Sequence, residues 1–180
     1  MLQESSETES PPEPEREALA SLVGRLGHAM QEALSRGDVA ALRRTRPEAG
    51  VSPSYFKVAA VYLEPAGVFA HGGRAVREQL DRRWASILSA MAIMEGLHAP
   101  SVPLGRALGH ADYAEPRLLR LLRARGEALF DAVRVTSHFL ASKGQHASHV
   151  DVARLVLSDG RADEEMVRRW IARDYYSVST

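Results

Sequence analysis

"RLLRLLRAR", Arg117 to Arg125, decides how the rest of the chain is read. Its leucines recur at steps of three and four. That is the period of an α-helix with one buried face, not the period of two that marks a strand. On a helical wheel of about 100° per residue, Leu118, Leu121, Leu122 and Leu129 fall on one arc. Arg120, Arg123 and, if the helix runs on past Gly126, Arg134 fall on the opposite arc, with Arg117 at its edge. No acid interrupts 117–125.

Working outward, the same period predicts helices along most of the chain. Leu19, Leu22, Val23, Leu26, Met30, Ala33 and Leu34 predict an amphipathic helix over about 15–36, closed by Gly37. Asp38 then caps "VAALRRTR", which stops at Pro47. Ser52 and Pro53 open "SPSYFKVAAVYLEP", and Pro65 lies beyond its end. "GRAVREQLDRRWASILSAMAIMEG" predicts a long helix ending near Gly96. A Pro/Gly loop with a short helix around "LGRALG" follows. Pro116 starts the arginine-leucine helix, which continues or restarts after Gly126 as "EALFDAVRVTSHFLASKG". "SHVDVARLVLSDG" and "ADEEMVRRWIARDYY" complete the series. "VRVTSHF" comes closest to strand alternation but lies inside a helical period. The expectation is an all-α protein of two small helical bundles, over 15–110 and 111–180, joined by the Pro/Gly loop and preceded by a disordered acidic tail over 1–14.

The 180 residues carry a formal net charge of zero, but residues 1–17 hold six glutamates and one arginine. The remaining body therefore has 22 basic and 17 acidic residues, an excess of +5. There are no cysteines, which excludes disulfides and thiolate metal sites and suits a reducing cytoplasm. The acidic N-terminus does not read as a signal peptide. The longest uncharged apolar run, Trp84 to Met94, is too short for a bilayer, which needs roughly 20 residues.

No catalytic motif is present: no G-x-S-x-G, P-loop, G-x-G-x-x-G or H-E-x-x-H. "HGG" at His71–Gly73 lacks a nucleophile elbow and reads as a loop before a helix. His138, His146, His149 and Asp151 are the right residue types for a metal, but their spacing matches no familiar site. They read as solvent-exposed loop groups, and neither metal nor cofactor is expected. The basic stretches carry more. "LRRTR" presents Arg43, Arg44 and Arg46, and the last helix carries Arg168, Arg169 and Arg173 beside an apolar arc of Met166, Val167, Trp170 and Ile171. A row of guanidiniums over a leucine stripe can follow the phosphates of a nucleic acid. It can equally be a solvated face with intrahelical ion pairs. The last two helices could also form a DNA-reading helix-turn-helix, but their second helix opens on Asp163, Glu164 and Glu165, which DNA would repel.

Four blocks then resemble one family in order and spacing: "GDVAALRRTRP", "PLGRALGHADYAEPRLLRLLRAR", "FLASKGQHASHVDVARLVL" and "VRRWIARDYY", together covering about 38–176. The chain is similar to the CasB proteins, the small subunit of the type I-E CRISPR Cascade complex. That resemblance implies a non-catalytic all-α subunit. Two copies would pack against the complex's backbone and large subunits, near guide RNA and target DNA, including the displaced strand. Arg43, Arg44, Arg46, Arg117, Arg120, Arg123, Lys143, Arg168, Arg169 and Arg173 are the candidate backbone contacts. A helix-turn-helix regulator and a helical protein-binding adaptor remain the alternatives.

Overall fold

The computed structural model describes residues 13–178, with side chains from residue 15 onward, so most of the expected tail lies outside the described residues. These form nine α-helices. The first, α1, spans Glu13–Glu32, and α2 spans Arg36–Arg44. The break between them differs from the sequence reading. Ser35 Oγ accepts the Asp38 amide at 3.0 Å and donates to the Asp38 carboxylate at 2.7 Å, so Ser35 is the N-cap of α2. Gly37 thus sits inside the first turn of α2 and closes nothing. Asp38 is the third residue of that helix and not its cap. Hydrogen bonds from Ser35, Ser54 and Lys57 hold its carboxyl at about 2.

Helix α3, Pro53–Val58, starts as its sequence predicts: the Tyr55 amide donates to Ser52 Oγ at 3.2 Å. It runs into a wider turn over Ala59–Leu63. The buried Tyr55 hydroxyl donates to Asp81 at 2.7 Å, tying this segment to α4, Arg74–Ile93. Every residue from Trp84 to Met94 is buried, whereas Arg74 to Gln79 are all exposed. The buried part of α4 packs against α2, and against α7 (Gly126–Ser142) and α8 (His149–Leu157) of the second half. Buried side chains from Leu22 on α1 to Tyr175 on α9 (Glu164–Tyr176) belong to one apolar cluster.

Two connecting loops are joined by backbone. Ala147 donates to Leu97 O at 3.0 Å, Ala99 to Ala147 O at 3.1 Å, and Ser148 to Val102 O at 2.7 Å. This rung fixes where α5, Leu104–His110, begins. Asp151 accepts the Leu104 amide at 2.9 Å, so a side chain of α8 covers the start of α5.

Helix α5 crosses α9 very closely. A Cβ at Gly105 would fall on the Ile171 carbonyl oxygen and lie 2.9 Å from the Tyr175 amide nitrogen. Both obstacles are backbone and cannot rotate away. Gly105→Ala should therefore force α5 from α9 and lower stability by about 1–3 kcal/mol or more. Gly27→Ala on α1, where a Cβ meets nothing within 4 Å, should shift the thermal midpoint the other way. Equal shifts in the two variants would contradict the close crossing.

Helix α6, Glu115–Arg123, does not continue into α7. Gly126 has φ +54°, and its amide donates to Asp159 Oδ2 at 2.9 Å, so the chain turns there and restarts. Arg134 consequently belongs to a different helix from Arg120 and Arg123. No helix of the described residues is long and apolar enough to cross a membrane.

Candidate nucleic-acid interface

Helices α6 and α9 lie side by side and antiparallel. At one end the Tyr176 hydroxyl donates to Glu115 at 2.6 Å. At the other, Arg168 Nη1 donates to Leu122 O at 3.1 Å, and Arg125 pairs with Glu165 at 3.2 Å. Leu118 and Leu121 hold α6 to the core. Arg117, Arg120 and Arg123 are left exposed, with no side-chain partner among the described residues. On α9, Arg169 is exposed and equally unpaired. Arg173 is exposed and reaches only its neighbour Asp174, at 3.1 Å. Two neighbouring helices thus present guanidiniums outward.

Arg168 does not face outward as the sequence suggested. It is 4% exposed, and its Nε, Nη1 and Nη2 donate to Glu164 at 3.2 Å, Leu122 O at 3.1 Å and Asp159 at 3.2 Å. Burial, and then the charge of Arg125, pull its guanidinium below the usual arginine range, while Glu164 and Asp159 oppose them. Arg125 joins the same network through Glu164, and Arg83 of α4 donates to Leu157 O at 3.0 Å and Asp159 O at 2.6 Å. These groups fasten the turns before α7 and α9 together. Glu164, in the first turn of α9, is occupied there by Arg125, Arg168 and the Gly160 amide.

The remaining candidates sit elsewhere. Arg43 donates to Ala92 O at 3.1 Å and to Glu95 at 3.1 Å, so it anchors α2 to the end of α4. Arg44 and Arg46 are exposed without partners among the described residues and line a shallow depression with Thr45 and Ser52. Lys143 is exposed at the end of α7, 5.8 Å from the Phe139 ring. Arg134, placed on the arginine arc only if its helix runs on, and His138, named only as a metal-type residue, are not among the candidate backbone contacts. The imidazole of His138 is pushed down by burial and then by Arg134 and Arg43, which places both cations within electrostatic range of it. Arg43 and Arg134 are far apart in sequence, so only the hint that Arg134 keeps the helical period was available.

The four metal-type residues do not converge. No group of three or more His, Cys, Asp or Glu suited to a metal occurs among the described residues. His138 and His146 are exposed, but His149 is buried at 3%, against the expectation of a loop histidine. Its ring stacks at 4.8 Å on His98, whose Nδ1 accepts the His149 amide at 3.1 Å. Trp170, expected in the core, is only half-buried, and Arg16 of α1 lies 5.2 Å over its ring.

No curated protein matches the chain. The family model described as CRISPR-associated protein Cse2 matches residues 38–176, from the first turn of α2 to the last residue of α9. With well over half of its length matched, the chain belongs to the Cse2 family, that of the CasB small subunits of the type I-E CRISPR Cascade complex, structural components rather than a known class of enzymes.

Proposed function

We propose that the protein is a non-catalytic clamp that holds nucleic-acid backbone on the α6–α9 surface and stabilises target DNA, including the displaced strand, while guide RNA pairs. Within the complex it would contact the backbone and large subunits and a second copy of itself. The observation that carries this reading is the row Arg117, Arg120 and Arg123, exposed over buried leucines and unpaired among the described residues. Base pairing supplies specificity in such a complex, so a sequence-blind cationic surface is sufficient. Arg169 and Arg173 extend the surface onto α9, and Arg44, Arg46 and Lys143 are separate cationic points. Arg43 and Arg168 serve the fold first.

The test is duplex and single-strand binding by the assembled complex across a salt series. Affinity should fall steeply between roughly 50 and 200 mM salt. Reversing Arg120 and Arg123 to glutamate should flatten the log–log salt slope by about 2, one unit per lost phosphate contact. A slope unchanged by the double reversal would overturn the assignment. Lost assembly with DNA binding intact would instead favour a protein-binding adaptor.

A further inference from the structure

Beside the arginines of α9 lies a cleft of about 280 Å³ that the backbone-binding reading leaves unused. Its walls include Arg16 of α1, Asp151 and Arg154 of α8, and Trp170, Arg173 and Asp174 of α9. We propose that this cleft is a subsite for one unstacked nucleobase of a single strand, with a preference for bases that present N–H donors. The proposal rests on the reading above for its strand and shares Arg173 with it, but reads the base with other residues, Trp170, Asp151 and Asp174.

Four observations converge. The indole of Trp170 is half-buried in the cleft wall, and an aromatic face in a cationic setting is the usual platform for a base. Arg16 lies 5.2 Å over that indole and extends the flat surface of the wall, a cation–π pair that a base can cover, while its Nε is buried with no hydrogen-bond partner. Arg173 belongs both to the exposed stripe that starts at Arg169 and to the cleft, so a phosphate held there sets its own base at the mouth. Finally, Asp151 and Asp174 line one small space. Asp151 spends one oxygen on the Leu104 amide at 2.9 Å, and its contact with Arg154 is long, at 3.7 Å. Burial raises its carboxyl, and the charge of Asp174 adds to that. Asp174 takes Arg173 on Oδ1 at 3.1 Å, which leaves its second oxygen, and two carboxylates with that acceptor capacity left over favour a ligand edge made of N–H groups.

Guanine offers two adjacent donors on its Watson–Crick edge. Cytosine and adenine offer an exocyclic amine, whereas uracil and thymine set one N–H between two carbonyls that the carboxylates repel. The cleft lies just below the usual range for small-molecule pockets, roughly 300–1,000 Å³, so it suits one base and not a stack.

The experiment follows tryptophan emission of the full chain during titration with mononucleotides. Trp84 is buried at 2% and supplies a constant background, so Trp170 reports the cleft. GMP and dGMP should quench saturably and UMP at least several-fold more weakly, while ribose 5-phosphate should not quench at all. GMP against dGMP tells an RNA source from a DNA source. Trp170→Leu should abolish the signal with helicity by circular dichroism unchanged, Trp170→Phe should still bind GMP by calorimetry, and Asp174→Asn should erase the preference for GMP over UMP. Single-strand affinity should fall roughly ten-fold in Trp170→Leu. Equal quenching by UMP or by ribose 5-phosphate, or quenching that persists in Trp170→Leu, overturns the proposal. Reversal of Arg120 and Arg123 leaves the GMP signal intact if the cleft is real. Loss of backbone binding in that variant therefore speaks to the clamp, and loss of GMP binding by calorimetry in Trp170→Leu speaks to the cleft.

Discussion

Arg168→Ala should cost the folded chain about 3–5 kcal/mol, more than any other single arginine truncation. The reason is what stays behind. Asp159 and Glu164 have side chains only 10% and 12% exposed, and Arg168 is an ion-pair partner of both. Removing it leaves two buried carboxylates to share the half-exposed Arg125 as their only paired cation among the described residues, and takes from Leu122 O one of its two guanidinium donors, at the point where the turns preceding α7 and α9 meet. Arg168→Lys should recover only part of the loss, because one ammonium cannot reproduce the planar fork that reaches three acceptors. Arg169→Ala, one residue along and exposed, should stay within about 0.5 kcal/mol of the native chain. Urea unfolding of the three variants checks this. Matched midpoints for Arg168→Ala and Arg169→Ala would return Arg168 to the binding surface.

Acid should destabilise the protein well above the range in which carboxylates titrate. Burial, and then the charge of His98, push the His149 imidazole down to about 3, from an ordinary value of 6.5. With the folded value depressed, the unfolded chain binds the proton first. The stability linked to this group is complete above about pH 6.5 and is lost progressively as pH falls from there toward 3. At about 1.4 kcal/mol per unit, roughly 2 kcal/mol should be gone by pH 5. His98 and His138, also shifted down chiefly by burial, act in the same sense, and Asp151, shifted up by burial, opposes them. Both ring nitrogens of His149 are buried without hydrogen-bond partners, so His149→Leu forfeits no polar contact of the ring. That variant should be close to native in stability at pH 7 and more stable than native at pH 5. Parallel losses in the two proteins between pH 7 and 5 would show that the buried imidazole is not the source.

Much of the fold follows from spacing alone. The leucines of α6, the Ser52–Pro53 start of α3 and the apolar run in α4 act locally, through helix period and caps, so their signals sit within a few residues of one another. Gly37 misled because a glycine after a helix is usually its terminator. The decisive group was Ser35, two residues earlier, whose hydroxyl closes on Asp38. The candidate surface was legible where it rests on one helix, as with Arg117, Arg120 and Arg123. It was not legible where a side chain's fate depends on distant carboxylates. Nothing near Arg168 in sequence announces that Asp159 and Leu122 will enclose it, whereas Arg169 differs by one position and points to solvent. The same holds for His149, whose burial follows from the pairing of two loops about 50 residues apart, and for Trp170, which meets Arg16 from the opposite end of the chain.

The division of α4 into an exposed opening and an enclosed remainder has a consequence for motion. Its amides after Trp84 lie inside the common core, where opening requires the whole domain to come apart. Its first two turns can fray alone, since Arg74 to Gln79 have little packing to lose. One continuous helix thus joins a slow interior to a fast rim. Any partner that grips the rim must first immobilise it, at an entropic cost the enclosed half has already met on folding.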